Sequence, residues 1–224
     1  MREVVLDTET TGLDPNSGDR IVEIGCIELF NHLPTGETYH QYVNPERDIP
    51  AESFRIHGLS EAFLSDYPVF AGIVDQFLDF IGDDRLVIHN AAFDIRFVNA
   101  ELERLGFAPL PLSRAVDTVQ IARSRFPGAG ASLDDLCRRF GVDNTSRTLH
   151  GALLDADLLA AVYIDLIGAR EPGLDLSARS AGAGRRVQRA VRQFRPPRPH
   201  APLPEELEAH EAFLETIRDP IWKS

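Results

Sequence analysis

The sequence predicts an α/β fold: a mixed β-sheet with helices on its faces, followed by an extended C-terminal tail that carries a short helix. Three strand-like runs come before the first strong helix, and helices and strands alternate from there on. The chain has 224 residues, 43% of them hydrophobic, enough for one domain with a full core plus an appendage.

Val4, Val5 and Leu6 form a short β-branched-rich run that reads as a buried strand, and Gly12 ends the element. Ile21 to Phe30 and Thr38 to Val43 follow as strands. A helix at about residues 71–82, a strand from Leu86 to His89, a helix over 93–105 and a fifth strand from Ala115 to Thr118 come next. Two further helices span 133–140 and 152–168. The first of these starts at Ser132, an N-cap, and stops at Gly141. There is no internal repeat.

Four carboxylates stand where a lone charge is costly. Asp7 and Glu9 are two apart on one strand and so point to one face. Their mutual repulsion calls for a cation between them, and Mg²⁺ takes such hard oxygen ligands. Asp94 lies in a helical stripe with Val98, Leu102 and Leu105, and Asp155 lies in another with Leu158, Leu159, Val162 and Leu166, so both acids face inward. Asp157 projects to the opposite side of its helix and is left out of the site. A helix cap or a buried ion pair explains any one of these acids equally well. Together, with three separate segments each presenting an inward acid, they point to a two-metal centre.

His150 precedes Asp155 by five residues, about 140° round an ideal helix, so both cannot face one metal from regular helix. Gly151 places the histidine ahead of the helix, where the backbone is looser. There an imidazole, with an ordinary pKa of about 6.5, can accept a proton from an attacking water near neutral pH. The alternative is a satisfied structural histidine.

The segments DTETTG, HNAAFD and HGALLDA resemble the three motifs of the DEDDh 3′→5′ exonucleases, and the likeness is to the family of epsilon proofreading subunits of bacterial DNA polymerase III. It covers roughly the first 170 residues in the same order, and no motif residue departs from the pattern. The resemblance implies an RNase H-like fold. It also implies that Asp7, Glu9, Asp94 and Asp155 hold two divalent ions, Mg²⁺ or Mn²⁺, with His150 as general base. The reaction implied is phosphodiester hydrolysis that removes mispaired nucleotides from DNA 3′ ends as nucleoside 5′-monophosphates, with Asp7, Glu9 and Asp155 also touching the substrate. The stretch AESFRIHGLS resembles the part of the family that grips the terminal nucleotide, which carries Glu52 and His57 over as substrate contacts; ordinary polar loop surface is the alternative. His89 and Asn90 precede Asp94 and either shape the site or, for Asn90, cap the helix.

The net charge of −12 is unevenly spread. Residues 1–170 hold 14 basic against 27 acidic residues, whereas residues 171–224 hold 9 against 8. An acidic surface repels the phosphate backbone, so this core gains little from nonspecific duplex contact and is suited to capturing a delivered 3′ end, single-stranded or frayed. No signal peptide or apolar run of membrane-spanning length is present, and Cys26 and Cys137 lack metal or redox spacing, so the expected location is the cytoplasm.

The expected division is an exonuclease domain over 1–170, an Arg/Pro-rich linker over 171–204 and a partner-binding helix over 205–224. Residues 177–204 contain seven arginines and no acid, a composition that argues against a packed core. Beyond them Leu207, Leu214, Ile217 and Ile221 recur at helical spacing until Pro220 breaks the pattern, and Trp222 is a candidate anchor. PEELEAHEAFLETI with Trp222 resembles the epsilon tail that binds the alpha catalytic subunit of DNA polymerase III. The family's sliding-clamp motif is matched only by Gly173-Leu174-Asp175-Leu176-Ser177, which lacks the glutamine and the aromatic, so clamp binding is a weak expectation. Two other functions fit parts of the chain: a stand-alone exoribonuclease trimming RNA 3′ ends, and a non-catalytic scaffold for a polymerase.

Overall fold

The computed structural model describes residues 1–145, 149–169 and 201–218. The described residues through Ala169 fall in one compact unit and residues 201–218 in another, and each is described by itself.

The first unit is built on a five-stranded sheet in the order β3-β2-β1-β4-β5, with β1 (Arg2–Thr10), β2 (Ile21–Phe30), β3 (Leu33–Tyr42), β4 (Arg85–Ile88) and β5 (Ala115–Asp117). β1, β2 and β3 pair antiparallel, and β4 and β5 add parallel strands to the other side of β1. The mixed sheet expected from the sequence is present, and so are its five strands.

Alternation along the central strand sorts its side chains onto two cores. Val4 and Leu6 pack on one face against α3 (Val74–Ile81) and α4 (Ala91–Arg104), with Phe77, Phe97, Val98 and Leu102. Val5 packs on the other against α6 (Leu133–Phe140) and α7 (Ala152–Leu166), with Leu136, Leu158, Leu159 and Val162. Val4, Val5 and Leu6 are wholly buried, and each such side chain stabilises the fold by roughly 1.5–3 kcal/mol. α7 is also tied to β1 by a polar contact, because the Tyr163 hydroxyl donates to the buried carboxylate of Glu3 at 3.0 Å.

Several boundaries differ from expectation. β1 carries Asp7 and Glu9 as expected and ends at Thr10, whereas β3 starts at Leu33, ahead of the expected Thr38. The helix expected at 71–82 is a 3-10 turn at Phe70–Gly72 followed by α3. AESFRIH is no loop but a helix, α1 (Ala51–His57), followed by a four-residue α2 (Glu61–Leu64). A further helix, α5 (Thr118–Arg125), starts where the fifth strand ends, with Asp117 accepting from the backbone N–H groups of Val119 and Gln120. Ser132 caps α6 reciprocally with Asp135, and Gly141 ends it, as the sequence indicates.

Residues 201–218 contain α8 (Pro204–Glu215), in which Pro204 takes the first position and Glu206 accepts from the Leu203 N–H at 2.9 Å. Ile217 thus lies past the helix end. The stretch 171–200, with the clamp-like leucines Leu174 and Leu176 and the seven arginines, and the residues Pro220, Ile221 and Trp222 lie outside the described residues. No helix among the described residues is long and apolar enough to cross a membrane.

Candidate active site and metal centre

The site forms at the end of β1, and three elements bring the acids there. Asp7 and Glu9 lie on the face of β1 that α7 covers, opposite Gly25 and Glu23 of β2. Gly25 permits that cover: a Cβ there would come within 2.3 Å of the backbone of Ala152 and Leu153, so α7 can start directly above β2 only if this position is glycine. Asp155, in the first turn of α7, is thereby lowered toward β1 and is 4% exposed. Its stripe partners Leu158, Leu159, Val162 and Leu166 are buried, while Asp157 is exposed.

His150 stands ahead of α7, whose N-cap is Gly151 in extended backbone, and this resolves the angular conflict with Asp155. Its backbone N–H donates to the Ile56 carbonyl at 3.0 Å, which ties it to α1. Its Nδ1 lies 3.2 Å from Asp155 Oδ2. One ligand atom each from Glu9, His150 and Asp155 lies within 4.8 Å of the others, a spacing one cation can span. Asp7 and Asp94 are not in that set.

Asp94 comes from the first turn of α4, on the other side of β1. It is 3% exposed, and one of its oxygens, Oδ1, accepts both the Thr8 N–H at 3.0 Å and the Thr8 hydroxyl at 2.7 Å. Burial pushes its pKa up to about 7, Thr8 works against that rise, and the nearby Asp117 adds to it. A buried acid so penalised for its charge is what a nearby cation would relieve. The donor set of carboxylates and one imidazole therefore fits divalent metal.

Beside the carboxylates lies a 440 Å³ cavity lined by Thr8, Glu9, Leu13, Glu52, His57 and Phe93. Glu52 is exposed, and His57 is 5% exposed. His57 Nδ1 accepts the Leu59 N–H at 3.0 Å, so the proton of the neutral ring is on Nε2. That nitrogen is buried and has no hydrogen-bond partner among the described residues, and burial lowers the histidine's pKa. Asn90 starts α4 in left-handed backbone without a side-chain cap. His89 Nδ1 meets the Thr118 hydroxyl at 2.9 Å.

Three contributors escape a reading of the sequence alone: Thr8, Gly25 and Glu23. Glu23 is 4% exposed, lies directly across from Glu9, and holds His40 Nε2 at 2.7 Å. An acid and a glycine inside the apolar run IVEIGCIEL are the visible signal for two of them.

The RNase T exonuclease family matches residues 4–163. The chain is 50% identical to the DNA polymerase III subunit epsilon of Rickettsia felis over 222 residues, covering 97% of each chain. The chain belongs to the DNA polymerase III epsilon family of exonucleases. The epsilon subunit of Escherichia coli is 40% identical over 238 residues, 100% of this chain and 98% of that one. Among solved structures, exonuclease X in complex with 5′-overhanging duplex DNA aligns with a TM-score of 0.60 at 28% identity, over 75% of this chain and 92% of that one. The nuclease domain of 3′hExo, a DEDDh family member bound to rAMP, shares the fold with a TM-score of 0.63 at 18% identity, over 74% and 91% of the two chains. The epsilon-family assignment makes this chain a 3′→5′ exonuclease of the proofreading type with an RNase H-like fold. DEDDh exonucleases generally use two divalent metal ions.

Proposed function

We propose that this chain removes mispaired nucleotides from DNA 3′ ends as the proofreading subunit of a bacterial DNA polymerase III in the cytoplasm. The observation that carries the reading is the convergence of Glu9, His150 and Asp155 within 4.8 Å at the end of β1, on the strand that also bears Asp7. Asp7, Glu9, Asp94 and Asp155 would hold two divalent ions, Mg²⁺ or Mn²⁺. When bound, these supply Lewis-acid charge against the scissile phosphate and its departing oxygen.

The protein's own groups do the rest. His150, exposed and tied to α1 through the Ile56 carbonyl, takes the proton of the attacking water. His57 offers its buried Nε2–H to the terminal nucleotide, and Glu52 stands at the rim of the same cavity. Satisfying that N–H is worth about 1–3 kcal/mol to the bound substrate. Thr8 fixes the orientation of Asp94. Mismatch preference arises because an unpaired terminus is cheaper to unstack than a paired one.

The tail supplies the partner contact: α8 docks on the alpha catalytic subunit, and the clamp-like leucines give at most a weak second contact. The deciding experiment is Mg²⁺- and Mn²⁺-dependent digestion of 5′-labelled single-stranded DNA and RNA of equal length, with Asp7→Ala as control. Stepwise 3′ shortening of DNA, lost in the variant, is the expected result. Preference for RNA would replace this reading with RNA trimming, and inactivity on both would leave a scaffold.

A further inference from the structure

We propose that the open groove between the start of α4, α5 and residues 129–132 carries the retained strand behind the scissile bond, with Arg123 contacting one of its phosphates. This rests on the exonuclease reading of the carboxylate centre and extends it from the terminal nucleotide to the strand it is cut from.

Two cavities that share no lining residue bear on the site, and one of them is bordered by Glu9. The His57 cavity lies toward α1. The other, 720 Å³, lies at the carboxyl ends of β4 and β5, where Asn90, Asp117, Gln120 and Arg123 line it. β4 pairs with β1 in the sheet, so this groove lies on the β4 side of the strand that carries Asp7 and Glu9. Asn90 and Ala92, in the groove wall, precede Asp94 at the start of α4, which brings the groove to the edge of the metal centre. A terminal nucleotide needs a pocket with an end, whereas a retained strand needs an open way out.

Charge selects the contact. The arginines of this acid-rich core are largely committed: Arg2, Arg20, Arg47 and Arg104 to carboxylates, and Arg114 and Arg125 to backbone carbonyls. Arg139 stacks on the Phe126 ring. Arg123 is exposed and has no such partner among the described residues. The one acid in its groove wall, Asp117, is already engaged by the N–H groups that open α5. A free guanidinium in a groove leading from a phosphodiester-cleaving centre is suited to a phosphate oxygen.

The test compares the full-length wild type with Arg123→Gln and Arg123→Lys on two substrates. One is octathymidylate; the other is the p-nitrophenyl ester of thymidine 5′-monophosphate, which has no retained strand. Arg123→Gln is expected to raise KM for the octamer roughly two- to five-fold with kcat unchanged. It is also expected to lower the slope of log KM against log salt by about 0.7, to leave ester hydrolysis unaltered, and to be rescued by lysine. Equal effects on both substrates, or no change in octamer KM and salt slope, would overturn the groove assignment while the carboxylate centre stood. A wild type that hydrolyses neither substrate would instead defeat the exonuclease reading, and the groove with it.

Discussion

Thr8 delivers two hydrogen bonds to the same oxygen of Asp94, from its backbone N–H at 3.0 Å and its hydroxyl at 2.7 Å. The strand that carries Asp7 and Glu9 thus also fixes the acid contributed by α4. Thr8→Val removes the hydroxyl and keeps the shape. It is expected to weaken divalent-metal affinity or activity about 10- to 100-fold, as the loss of a partner that orients a metal ligand does. Thr8→Ser is expected to recover most of it. Metal titration by calorimetry alongside kinetics checks this, and a serine variant as poor as valine would count against the hydroxyl's role.

Asp94 also predicts a pH dependence. Its pKa in the folded chain is raised from 3.8 to about 7, so between those values the folded chain holds a proton that the unfolded chain has lost. Stability from this group therefore falls as pH rises through that window, and the full penalty applies above about pH 7. In chelator, Asp94→Asn is expected to melt higher than the wild type at pH 8, by about 3 °C for each ~1 kcal/mol relieved, and the difference should shrink toward pH 4. Scanning calorimetry at several pH values gives the answer; a lower melting temperature for the variant at pH 8 would contradict the burial argument.

How far the sequence could be read follows from which contacts are local. Val4, Val5 and Leu6 announced a strand buried on both faces, and the two-residue spacing of Asp7 and Glu9 carried the same strand on to the acids. β3 is a polar edge strand, so only its second half was legible. α1 buries only Ser53 and His57 and sits between Pro50 and Gly58, too short for a stripe. α5 buries only Thr118 and Ala122. The inward acids were legible because each contradicts the apolar stripe around it. The contacts of Thr8, Glu23 and Gly25 depend on register and on where α7 lands, which no local pattern encodes.

Gly25 tests that landing directly. An added methyl would meet the α7 backbone at 2.3 Å, and backbone cannot rotate aside as a side chain can. Gly25→Ala is expected to cost about 1–3 kcal/mol of stability. It should also lower kcat well below what that loss explains at a temperature where the variant is folded, because Asp155 and His150 move with α7. Denaturant unfolding and single-turnover kinetics separate the two effects. Unchanged kinetics in a destabilised variant would mean that α7 yields without shifting the site.

The tail prediction depends on which side chains α8 leaves available. Leu214 is buried, whereas Leu207 is 48% and Phe213 61% exposed. Leu214 is already covered, so the docking surface is better probed at the other two. Leu207 and Phe213 are six residues apart, about 120° round the helix, so between them they sample both faces a groove could take. If α8 docks on the polymerase catalytic subunit, Leu207→Asp or Phe213→Asp should weaken that complex by about 30-fold or more, as loss of an interface anchor does. Hydrolysis of single-stranded DNA by the free chain should be unaffected, while Asp7→Ala should give the reverse pattern. Binding measured by surface plasmon resonance with all three variants decides it, since a dissociation constant unchanged by either tail substitution would remove α8 from the interface.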